Sequence, residues 1–163
     1  MVFRLRTYLF WLTLFSVAMG FMESAVVVYL RTIYYPQGFA FPLAPMDFRL
    51  AVTEFLREAA TLIMLMAAGY LAGGNFRERL AWFVYCFAIW DIFYYVFLRM
   101  LIGWPGSLFT WDILFLIPVI WTGPVIAPIL ASLTMILMAG IILFFERKGN
   151  TVRISRLTGT LVL

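Results

Sequence analysis

Long apolar runs constrain this chain more than any other feature. A helix rises about 1.5 Å per residue, so crossing roughly 30 Å of hydrocarbon takes about 20 mostly apolar residues. The first such run spans about 7–30, between Arg4/Arg6 and Arg31. Its basic start and Ala18-Met19-Gly20 stretch resemble a signal peptide, but the run continues through Val26, Val27 and Val28 to Leu30, which favours an uncleaved helix. A second run covers about 51–72 and ends at Gly73-Gly74, and a third covers about 80–102 and ends at Gly103-Trp104-Pro105. The stretch from Trp111 to Phe145 is too long for one crossing, since 35 residues of helix measure about 52 Å. Gly123-Pro124, flanked by Pro118 and Pro128, breaks it. The sequence therefore predicts an all-α membrane protein: one domain, a four-transmembrane-helix bundle whose fourth span is about 125–145. A short interfacial or re-entrant helix covers about 110–122, and 146–163 form a basic tail.

Composition supports a lipid environment. The chain is 65% hydrophobic and 12% charged, where a soluble domain carries roughly 25% charged residues. Aromatics at 19% suit the headgroup level of a bilayer, with Trp104, Trp111 and Trp121 as an outer belt. There is no histidine, and Cys86 is the only cysteine. This removes the usual haem and zinc ligands, the commonest general base, an internal disulfide and a CxxC pair. No metal, catalytic set or cofactor is expected. Bound lipid is, and the aromatics could also line a site for a quinone or carotenoid, although core packing is their ordinary use. The basic tail suits anionic lipid, not nucleic acid.

Lys and Arg near span ends set the orientation. With the N-terminus inside, the inner side holds eight: Arg4, Arg6, Arg77, Arg79, Arg147, Lys148, Arg153 and Arg156; the outer side holds Arg31 and Arg49. Both termini are thus expected in the cytoplasm. The inner loop, Gly73 to Arg79, is short and polar. The outer loop, 31–50, combines Tyr34, Tyr35, Phe39, Phe41 and Phe48 with Pro36, Pro42 and Pro45, so it should lie on the membrane surface or fold over the bundle mouth.

Ionisable residues within or beside the spans are the candidate site: Glu23, Glu54, Arg57, Glu58, Asp91, Arg99 and Asp112. An isolated charge at the bilayer centre costs about 2.5–3.5 kcal/mol on insertion scales, so such groups face inward and pair. The topology brings all seven to the outer half of the bundle, under the aromatic loop, with Asp91 nearest mid-membrane. Glu54 and Glu58 share a helix face, continued by Thr61. Asp91 and Arg99 lie on one stripe, about 12 Å apart. Arg57 is expected to pair with Asp91 or Glu58, and Arg99 with Glu23 or Asp112, unless Arg99 snorkels outward and Asp112 caps the short helix. The set reads either as a structural ionic network or as a proton, cation or polar-ligand site, in which Asp91 is the natural proton carrier.

Ser16, Gly20 and Ser24, and Gly69 with Gly73, allow close helix approach, within the chain or between copies. The echo of Trp90-Asp91-Ile92 in Trp111-Asp112-Ile113 is read as coincidence, because the flanks do not align.

Phe21-Met22-Glu23, Val26 to Arg31, Tyr35-Pro36, Arg57-Glu58-Ala59-Ala60-Thr61, Trp90-Asp91-Ile92, Gly103-Trp104-Pro105 and the run from Trp111 to Pro118 carry a resemblance. Over roughly residues 20–125 the chain resembles an uncharacterised family of small prokaryotic integral membrane proteins. The resemblance implies a prokaryotic plasma (inner) membrane and brings no activity, cofactor or partner with it.

Three functions fit. The first is a non-catalytic membrane component that packs against other membrane subunits or copies of itself. Another is a small oligomeric, proton-coupled transporter or ligand-binding protein using Asp91 with Glu54, Glu58 and Arg57. The third is a lipid-modifying enzyme with Glu58 and Asp112 as its acid and base.

Overall fold

The computed structural model describes residues 2–117 and 119–148, so Pro118 and the tail beyond Lys148, with Arg153 and Arg156, lie outside the described residues. The chain is mostly helical. Its four helices, α1 (Val2–Tyr34), α2 (Phe48–Ala72), α3 (Phe76–Ile102) and α4 (Ile126–Arg147), are each long and apolar enough to cross a membrane. They fall where the apolar runs place them. α1 extends beyond its expected limits at both ends, and its 33 residues measure roughly 50 Å.

The expected helix at 110–122 is absent. In its place β1 (Trp111–Phe115) and β2 (Trp121–Pro124) form an antiparallel hairpin, pairing Trp111 with Pro124, Asp112 with Gly123 and Ile113 with Thr122. The fold is therefore not all-α. Trp111, Ile113, Phe115, Trp121 and Thr122 are aromatic or β-branched and fit a pleated ribbon better than a helix. Pro124, which has no N–H to donate, sits at a strand end.

Local chemistry explains the helix boundaries. The Asp47 side chain caps α2 by accepting from the Arg49 N–H at 2.9 Å. Asn75 caps α3 by accepting from Arg77 and Glu78, each at 3.0 Å. Gly103 closes α3 in the left-handed region, φ 68°, a conformation glycine adopts without strain.

Packing is organised around α3 and not as an even ring of four. Each of α1, α2 and α4 lies along α3, whereas α1 and α2 barely touch. Small residues make the close contacts possible. A Cβ at Gly69 would sit 2.6 Å from the backbone N of Phe83, and one at Gly73 would collide with the Arg79 backbone. On α1, a Cβ at Gly20 would lie 3.0 Å from the Trp90 carbonyl, and Ser24 donates to the Tyr94 carbonyl at 2.9 Å. Both small-residue patterns thus serve packing inside the chain. One core cluster joins Ala81, Trp82, Ala139 and Leu143 with Leu5, Leu9 and Ala72. It brings the start of α1, the α2–α3 turn and the end of α4 to one end of the molecule. Arg77 binds Glu146 there at 2.9 Å. The hairpin and the 35–47 loop occupy the opposite end.

Candidate functional site

At the hairpin end, the gap between α1 and α2 is a cavity of about 440 Å³. α1, α2 and α3 form its walls, the hairpin closes one side, and loop residues such as Tyr35, Phe39 and Leu43 roof it. Its lining is mostly apolar. Six of the seven candidate residues nevertheless reach it: Glu23, Glu54, Arg57, Glu58, Asp91 and Asp112.

Their pairing differs from the expected one. Arg57 binds Glu23 of α1 and, at 2.8 Å, Glu54 of its own helix. It does not pair with Glu58 or Asp91. The reason is rotation along α2: Glu54 and Arg57 are three apart and meet on the α1 side. Glu58, one residue further round, faces the hairpin, where both its oxygens accept the Leu116 N–H, at 3.1 and 3.0 Å. Asp91 accepts from the Ser132 hydroxyl of α4 at 2.7 Å, which ties the cavity floor to that helix.

Arg99 takes no part. It is exposed and donates to the Gly103 carbonyl and, at 2.9 Å, to that of Pro105, satisfying the end of its own helix. Neither Glu23 nor Asp112 is its partner, and Asp112, placed on β1, caps no helix. Asp112 pairs instead with Arg31, at 2.9 Å. The sequence places Arg31 with the outer loop charges, yet it is 8% exposed, its guanidinium 3.6 Å from the Trp104 ring centroid and 4.4 Å from that of Phe39. This one side chain joins α1, the roof loop, the α3–β1 connection and the hairpin. A signal was present: Glu23 and Arg31 are eight residues apart, so they share a stripe of α1.

Burial pushes the Asp112 carboxyl up to about 6, while Arg31 and, more weakly, the Ile113 N–H and the Tyr95 and Tyr94 hydroxyls pull it down. Among the described residues, no group of three or more Cys, Asp or Glu side chains is placed to hold a metal ion.

No protein-family model, curated protein or solved structure matches this chain. The site must be read from its own chemistry.

Proposed function

We propose that this chain is a multi-pass membrane protein that binds a lipid-like small molecule in the cavity at its hairpin end. The observation that carries the reading is the convergence of seven charged side chains on one mostly apolar cavity. Apolar walls with a few convergent polar groups are the usual form of a small-molecule site, and 440 Å³ lies within the common range for ligands. A network serving folding alone would gain nothing from an adjoining space of this size, since close packing is the norm in protein interiors.

In this reading the four helices cross a prokaryotic plasma membrane with the basic end in the cytoplasm. The cavity then opens in the outer half, beneath an aromatic roof. Because α1 and α2 barely touch, a ligand dissolved in the bilayer can enter between them. The small-residue faces are occupied inside the chain, so they lend no support to self-association. A proton-coupled role would use Asp91, whose link to Ser132 connects the cavity with α4.

Identification of the molecules that co-purify from native membranes in mild detergent tests the proposal. A bound lipid-like compound is expected with the wild type and not with Val27→Trp, which fills the cavity. Identical profiles from the two folded proteins would count against it.

A further inference from the structure

We infer that the occupant is an amphiphile whose head carries an organic ammonium group; this rests on the proposed function and specifies its ligand. The first argument is charge. Five carboxyl groups and two guanidinium groups line the cavity. Both guanidinium groups are already in ion pairs, Arg57 with Glu23 and Glu54 and Arg31, through one of its two terminal nitrogens, with Asp112. Glu58 and Asp91 have only neutral donors, the Leu116 N–H and the Ser132 hydroxyl. Among the described residues, neither carboxylate has a cation within ion-pair distance. A carboxylate in an apolar wall is stabilised by an opposite charge; Arg57 acts on Glu58 only at a distance while bound to two other carboxylates, and five carboxyl groups on the wall face two guanidinium groups.

Aromatic faces provide the second argument. Tyr34, Phe55, Trp90, Tyr94 and Phe115 line the same space, and ring faces together with carboxylates are how proteins hold ammonium groups. The fold already treats a cation this way, with Arg31 held over Trp104 and Phe39. The carboxyl groups are spread around the walls and no three converge to hold a metal ion, so an organic cation fits and a chelated ion does not.

Two matched probes test the inference on the full chain in nanodiscs, with empty nanodiscs as the blank. N-dodecylethanolamine is cationic at neutral pH; N-dodecanoylethanolamine is its uncharged amide, with the same hydroxyl and chain length. Isothermal titration is expected to give at least about tenfold tighter binding of the cation, equivalent to about 1.4 kcal/mol. Glu58→Gln and Asp91→Asn keep an acceptor for Leu116 and Ser132. Each should reduce that preference by about threefold or more while leaving the amide's affinity nearly unchanged. Equal affinity for the two probes, or a preference unchanged in both carboxyl variants, overturns the ammonium head and leaves the lipid-like cavity standing. No saturable binding of either probe to the folded wild type overturns the proposed function itself.

Discussion

Arg57 shows how one cation can hold two helices that otherwise scarcely meet. It spans from Glu54 on α2 to Glu23 on α1 at the place where the cavity keeps their backbones apart. Arg57→Met would leave two carboxylates in an apolar wall. A loss of about 2–4 kcal/mol is expected, below the extreme for a buried pair because the Arg57 side chain is 24% exposed. Adding Glu23→Gln and Glu54→Gln should recover part of it. Unfolding in mixed detergent, followed by circular dichroism, measures both, and an Arg57→Met protein as stable as the wild type would refute the assignment. Asp112 permits a pH experiment. Its native carboxyl holds a proton up to about 6, whereas its ordinary value is 3.8. Between those values the native state binds more protons than the unfolded one, so this group's contribution declines as pH rises through the window. Relative to Asp112→Asn, the wild type should lose about 1–3 kcal/mol between pH 4 and 6. Parallel stability profiles would exclude this role. Glu23, Arg57 and Asp91 were recognisable in the sequence because a charge inside an apolar run needs a reason. Which charge meets which was not, because pairing depends on helix rotation and no spacing along one helix reports it.

Elements differ in how far local chemistry decides them. The caps at Asp47 and Asn75, the glycine stop at Gly103 and the apolar lengths of the helices are all local, and the helices form where those signals lie. The hairpin is another matter. Residues 111–124 are apolar and interrupted by prolines, which excludes a long helix; the sequence reads about 110–122 as a short helix, and a ribbon forms instead. Pairing of β1 with β2 and the hold of Glu58 on Leu116 decide it. Contacts between helices offer a paired test. Gly69→Val would press against the Phe83 backbone and should cost about 1–3 kcal/mol or more by forcing α2 off α3. Gly140→Ala on α4 meets nothing within 4 Å and should be neutral, or stabilising by up to about 1 kcal/mol through helix propensity. Thermal unfolding of the two in the same detergent checks the contrast. Equal effects would mean that α2 does not rest on α3 as described.

At the scale of the whole molecule, the basic end and the hairpin end should face opposite sides of a membrane. Because Cys86 is buried, it leaves the background silent for labelling. An impermeant thiol reagent added to intact cells should modify Gln37→Cys in the roof loop and not Lys148→Cys beyond α4; the opposite pattern would invert the topology. The number and order of the long helices, though not the full length of α1, could be read from the sequence, because they follow from hydropathy, rise per residue and capping, all properties of neighbours along the chain. So could the gathering of acidic and basic groups near one end, since topology alone sets their depth. The choice of α3 as the central helix, the space left between α1 and α2, the exclusion of Arg99 and the burial of Arg31 came from tertiary structure. Each depends on which face a helix turns toward its neighbours, and that is settled by packing among residues far apart in the chain: Gly69 against Phe83, Gly20 against Trp90, Arg31 against Trp104.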